Sequence, residues 1–394
     1  HFLNGTLNNL PVVMVFALII FISIYFLFKK SNNELAPVED PGFIMTMYKA
    51  APSASLEQTE RYSNELYKII RSYNEVDHVF QIDGFDALNS GFGGFVLKPW
   101  EERKKSAETI MDELQEKFGM VTGLNAVAFL PPPLPGGGEG LPIQFVLQTT
   151  DSYENLNEIV QSIIQKGYQS GIFGYLDTDL KVDKPEVEIL IDREKAANLG
   201  LKMSDVGQAL GTMLGGGYIN YFNLGGRSYK VIPQVKQESR LNARQLEDFY
   251  ITTPAGANIS LSTVVDLKTK ISPQTVNHFQ QLNSASIFGM AIPGVTLGVA
   301  LDTLKNAAKP LLPSGYGIDY SGQSRQFMKE SQSIVYTFVF AFIIIFLVLA
   351  ALFESFRDPF IILVSVRMSI FGAMIFISLG VGGASLNIYT QVGL

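Results

Sequence analysis

The chain has no cysteine, three histidines and one tryptophan among its 394 residues. Without cysteine there is no disulfide framework, no thiolate metal site and no thiol nucleophile. His1, His78 and His278 stand alone, far from any metal-ligand spacing. Nucleophile-elbow and phosphate-loop motifs are also missing. The triplet Gly136-Gly137-Gly138 follows the proline-rich run Pro131 to Pro135, so it reads as a linker rather than a phosphate cradle. Catalysis is not expected, and neither a cofactor nor a resident metal is implied.

Charge is missing from two long stretches. Pro11 to Phe28 and Ile334 to Phe353 carry none, and each approaches the roughly 20 apolar residues that span a bilayer. A third run, 360–380, contains Arg367. These runs are apolar all round rather than along one stripe, so they read as transmembrane helices at 11–28, 334–353 and 360–380. Lys29 and Lys30 follow the first run where a signal peptide would carry small residues, so that run reads as an anchor. The chain opens on His1 and ends on Leu394 inside apolar sequence, which suggests a piece of a longer protein.

Residues 31–333 between these runs hold 26 Lys and Arg against 35 Asp and Glu, a net charge of −9. So acidic a block argues against nucleic acid as a partner. It suits cationic or amphipathic small molecules.

Inside the block, strand-like and helix-like segments alternate. The segment Phe43–Tyr48 precedes an amphipathic helix near 55–73, with Ser55 and Gln58 at capping-box spacing. Further helices are expected near 101–118, 151–166 and 295–309. Apolar strand runs lie at Val76–Ile82, Gly94–Leu97, Asn125–Leu130, Ile143–Leu147, Ala285–Ile292 and Tyr316–Tyr320. Four such units favour an α+β fold of split βαβ sandwiches with helices on one sheet face. A segment of different texture, 181–271, interrupts them. It has a strand near Val187–Ile191, a helix near Glu194–Leu199, a second helix capped by Ser204, and a glycine-flanked hairpin from Gly215 to Arg227. It reads as a projecting module suited to assembly contacts.

The first two units are dense in aromatic residues and methionine. Met45 and Met47 alternate on one strand and share a face. Phe80, Ile82, Phe85, Phe92 and Phe95 flank the glycine-rich stretch Asp83–Gly94. Spacing alone favours packed core for these side chains. A pocket for many shapes is the other reading, because methionine beside aromatics adapts to varied ligands.

Four stretches together resemble the second half of a resistance-nodulation-division exporter of the hydrophobe/amphiphile class. They are Pro37-Val38-Glu39-Asp40-Pro41-Gly42 with Phe43 to Met47; Leu97-Lys98-Pro99-Trp100; Pro185 to Ile191 with Asp192-Arg193-Glu194-Lys195-Ala196; and Ala350-Ala351-Leu352-Phe353-Glu354-Ser355-Phe356. The resemblance implies a proton-driven multidrug exporter in the inner membrane, multi-pass, with a large periplasmic domain. It implies a homotrimer working with a periplasmic adaptor and an outer-membrane channel. On that map 41–133 is a first pore (porter) subdomain, 139–180 with 272–330 a second, and 181–271 a docking subdomain. Met45, Met47, Phe80, Ile82, Phe85, Phe92 and Phe95 would then line the substrate pocket, with 83–94 as a switch loop. The family's proton-relay spans are absent from this stretch. Arg367 stands where relatives carry Pro, so it is either a functional intramembrane charge or the product of a one-base change. Two rival readings stay open: a heavy-metal exporter of the same superfamily, and a membrane-anchored sensor or assembly protein.

Overall fold

The computed structural model describes residues 10–31, 34–37, 39–134, 140–381 and 384–393. The glycine linker 136–138 and the Arg367 side chain lie outside the described residues. The chain divides into two compact units, one of residues 1–181 with 274–394 and one of residues 182–273.

In the first unit, helix α1 (Leu10–Lys30) leads to strand β1 (Phe43–Ala50) and helix α2 (Leu56–Arg71). The hairpin β2 (Val76–Asp83) and β3 (Ser90–Leu97) follows, then α3 (Ala107–Phe118) and β4 (Leu124–Phe129). Ser55 caps α2 and Ser106 caps α3, each hydroxyl accepting a backbone N–H three residues on. The cap at Ser106 explains why α3 begins well after position 101: residues Trp100–Glu102 form only a short 3-10 turn.

The four strands pair antiparallel in the order β2-β3-β1-β4. Period-two alternation sends Ile44, Tyr48, Phe95, Leu97, Ala126 and Ala128 to one face. There they pack with Leu66 and Ile70 of α2 and with Ile110, Leu114 and Phe118 of α3.

A second sheet is built from β5 (Ile143–Thr149), β6 (Phe173–Thr178) and three later strands of the same unit. Helix α4 (Tyr153–Gln169), capped by Ser152, joins β5 to β6.

The second unit opens with β7 (Val182–Ile191), α5 (Arg193–Asn198) and α6 (Met203–Leu214). Helix α6 is capped at Lys202, where Asp205 accepts the backbone N–H, and not at Ser204 as expected. A hairpin of β8 (Asn220–Leu224) and β9 (Arg227–Val231) turns at Gly225-Gly226, both at positive φ as such a two-residue turn requires. Strands β10 (Tyr250–Thr252), β11 (Asn258–Ser260) and β12 (Val265–Pro273) complete the unit, β12 pairing with β7. Its core gathers Val206, Leu210, Leu246, Leu261 and Val264.

The chain then re-enters the first unit through β13 (Asn277–Phe279), β14 (Leu282–Ala291), α7 (Leu297–Ala308) and β15 (Gly317–Tyr320). These complete the second sheet in the order β13-β14-β5-β15, with β6 beside β14. Leu156, Val160 and Ile163 of α4 and Leu301 and Leu304 of α7 are fully buried along with Phe145, Leu147 and Ile287. Both sheets thus belong to an α+β architecture of antiparallel strands with helices.

Helix α8 (Gly322–Phe353) rises straight from the second sheet. Ser324 Oγ accepts the Gln144 N–H and donates to the Pro142 carbonyl, both at 2.9 Å. At 32 residues this helix is about 48 Å long. It is followed by α9 (Arg357–Ser378) and the short α10 (Ile388–Gly393). Among the described residues, α9 alone is long and apolar enough throughout to cross a membrane. Met14–Phe28 within α1 and Val339–Phe353 within α8 are shorter apolar stretches.

Candidate functional site

The face of the first sheet opposite its helices carries a continuous row of large apolar side chains. Phe43, Met45 and Met47 come from β1, Phe80 and Ile82 from β2, Phe92 from β3 and Phe85 from the turn between β2 and β3. Phe43 stacks on Phe80 with ring centres 6.3 Å apart, Phe80 meets Phe92 at 6.2 Å, and Phe92 meets Phe85 at 5.7 Å. Six of the seven expected residues therefore share this face. The seventh does not. Phe95 is fully buried in the core under α2 and α3. It stands an odd three positions from Phe92 on one strand, which turns it to the other side of the sheet.

Burial is greatest at the β4 edge of the sheet. At β4, Val127 and Phe129 are fully buried against Leu141, and Met45, Tyr175, Phe288 and Met290 pack around them. The helix-free faces of the two sheets meet there. Moving outward, Met47 is 40% exposed, Phe80 43%, Ile82 47% and Phe85 54%. The second sheet covers the β4 side and leaves the β2–β3 side open. The sequence reading missed Phe43, although it shares the odd parity of Met45 and Met47.

Half of the glycine-rich stretch 83–94 is strand: Asp83 ends β2 and Ser90 to Gly94 open β3. Its glycines answer to close approach. A Cβ on Gly91 would fall inside the buried Tyr48 ring, and one on Gly94 would lie 2.8 Å from the Phe43 ring. Only 84–89 turns, with Gly84 and Asp86 at positive φ. That turn is held: Asn89 Nδ2 donates to the Ala50 and Ala51 carbonyls at 3.1 and 3.2 Å, and Thr59 Oγ1 donates to the Leu88 carbonyl at 3.0 Å. Beneath it Tyr48 and Ser63 donate to the two oxygens of Asp83, at 2.8 and 3.1 Å. Burial and the neighbouring Asp83 push the Tyr48 hydroxyl pKa far above its ordinary value.

A cleft of about 550 Å³ opens beside this contact, between α3 with β4 on one wall and β6 with β14 on the other. Met111, Tyr168, Tyr175, Met290 and Ile292 give it an apolar and aromatic lining. Glu108, Asp112 and Glu116, four residues apart on α3, line the same cleft, and no Lys or Arg does. Burial raises the pKa of the Asp112 carboxyl. The Tyr175 hydroxyl is raised by burial and by Asp177. No group of three or more His, Cys, Asp or Glu side chains able to hold a metal ion occurs among the described residues. The arrangement offers apolar contact, ring faces and carboxylates, which suits binding rather than bond-making.

The profile of the AcrB/AcrD/AcrF family matches residues 1–394. The chain belongs to this family of resistance-nodulation-division transporters. An uncharacterised transporter of Haemophilus influenzae is 34% identical over all of this chain, which spans 39% of that relative. The multidrug/solvent efflux pump membrane transporter MepB of Pseudomonas putida is 28% identical over 98% of the chain and 37% of its own length. The multidrug export protein AcrF of Escherichia coli is 26% identical over 97% of the chain and 38% of its own length. The chain thus spans under two fifths of the curated relatives it matches.

Proposed function

We propose that this chain is the substrate-handling and docking part of a proton-driven multidrug exporter of amphipathic small molecules. The observation that carries the reading is the aromatic and methionine row, open at the β2–β3 side and closed at β4 by the facing sheet. A side chain row of this kind meets a ligand through area and ring faces rather than through a fixed hydrogen-bond pattern, so it accepts many shapes. Two sheets that touch at one edge and part at the other suit alternating access, in which a ligand favours one of two arrangements. The names of the MepB and AcrF relatives, a multidrug/solvent efflux pump and a multidrug export protein, point the same way.

In this reading 41–133 and 139–180 with 272–330 are the two porter subdomains, and 181–271 docks. On the same reading the protein sits in the inner membrane, multi-pass, with the sheets in the periplasm, and the apolar helix α9 with the shorter apolar stretches of α1 and α8 supports it. The working form is a homotrimer joined to a periplasmic adaptor and an outer-membrane channel. The test is export of a panel of fluorescent dyes by the intact transporter carrying Phe85→Ala or Met47→Ala. Slower efflux of at least some dyes at equal expression is expected. Wild-type efflux of every dye by both variants would overturn the assignment.

A further inference from the structure

Of the described ion pairs, the one between Arg103 and Asp40 is the most buried, with side chains 1% and 13% exposed and Nη2 to Oδ1 at 2.9 Å. Asp40 lies on the segment that connects α1 to β1. Its Oδ1 also accepts the Gly42 N–H at 3.0 Å, and its Oδ2 accepts the Ala107 N–H at 2.7 Å. Ala107 is the first residue of α3, so the carboxylate sits on that helix's positive end. Trp100 covers the guanidinium, 3.8 Å from the ring centre. Nε and Nη1 of Arg103 are buried and have no protein partner. A single carboxylate therefore holds both the guanidinium and the start of α3.

The other side of α3 is a wall of the 550 Å³ cleft, through Met111, Asp112 and Gln115. We infer that Asp40–Arg103 is a clasp that sets the position of α3 and so the width of this cleft. With the clasp closed, α3 is tied to the segment that leads from α1 to β1. With Asp40 released from both Arg103 and the Ala107 N–H, the first turn of α3 loses its only anchor to that segment among the described bonds, and the wall is free to swing. Displacement at the α1 end then reaches the cleft through one carboxylate. The functional sense of the clasp rests on the efflux reading, but cleft width is measured without it.

These 394 residues contribute no cysteine, so once any elsewhere in the intact transporter is replaced the two introduced ones carry the whole signal. Spin labels at Glu116→Cys and Ile292→Cys, on opposite walls, report the width by pulsed electron resonance in the intact transporter. Asp40→Asn and Arg103→Gln are expected to lengthen and broaden the distance distribution, and Arg103→Lys to do so partially, since it keeps the charge and loses the fork. Leu261→Ala, buried in the core of residues 182–273 and in neither wall of the cleft, is the control. It should lower thermal stability and leave the distance unchanged. If the three clasp variants also lower stability with an unchanged distance, the pair is local packing and the inference fails. If Asp40→Asn does not reach the membrane, Arg103→Lys decides alone by the same criterion. A moved distance in a transporter that exports no dye even as wild type would overturn the efflux reading and leave the clasp standing.

Discussion

Phe92 and Phe95 lie on one strand, yet the first is half-buried beside Phe80 and Phe85 on the helix-free face while the second is sealed under two helices. Removing them should have different consequences. Phe95→Ala should cost about 3–5 kcal/mol of stability, as for other buried Phe truncations, in urea unfolding of the purified protein. Phe85→Ala, at a side chain 54% exposed, should stay within about 1 kcal/mol of wild type and weaken dye binding. A second residue-scale prediction concerns Gln280 and Gln281, which turn β13 into β14 at φ 51° and 70°. A left-handed conformation costs non-glycine residues about 1–2 kcal/mol each. Gln280→Asn with Gln281→Gly should therefore raise the melting temperature, read by circular dichroism; no change would show that the turn is relaxed.

Helix α3 collects two of the arguments. Its carboxylates Glu108, Asp112 and Glu116 stand at i, i+4 spacing, where like charges repel, and they border a cleft with aromatic walls. Replacing all three by their amides should weaken binding of a dicationic dye by a factor of about five, roughly 1 kcal/mol, and leave an anionic dye unaffected. Equal loss for both dyes would assign the effect to altered packing. At the helix start, burial tends to raise the Asp40 carboxyl, but hydrogen bonds from Ala107 and Arg103 outweigh it and hold the group below the usual carboxylate range. A depressed native pKa contributes stability above the unfolded value and loses it as pH falls through the native one. Stability should therefore drop on acidification below about pH 4, and Asp40→Asn should flatten that limb. Removing one partner of so buried a pair should itself cost about 3 kcal/mol near neutral pH.

The elements were largely legible: hydrophobic period and serine caps located the helices and most strands, because local pattern fixes local structure. Boundaries shifted where a cap decided them, as at Ser106 and Lys202. The candidate face was legible in parity for Phe43, Met45 and Met47. What period alone did not reveal is that Gly91 is already a strand position and that Gly91 and Gly94 lie under the Tyr48 and Phe43 rings, because that depends on pairing across β1 and β3. The cleft was also out of reach, since α3 and β14 are over a hundred residues apart in sequence.

At the scale of the whole molecule, two antiparallel sheets meet by their helix-free faces at β4 and part toward β2 and β3, beside helices rich in apolar sequence. In the function proposed above, amphipathic molecules are held in the open half of this contact. The most direct measurement is photocrosslinking of an amphipathic dye to the intact transporter, with attachment sites mapped by mass spectrometry. Adducts are expected on Met47, Phe80, Phe85 and Phe92, reduced by competing substrate, and none on Phe95. Adducts confined to the apolar helices or to residues 182–273, with the sheet face unlabelled, would rule this binding face out.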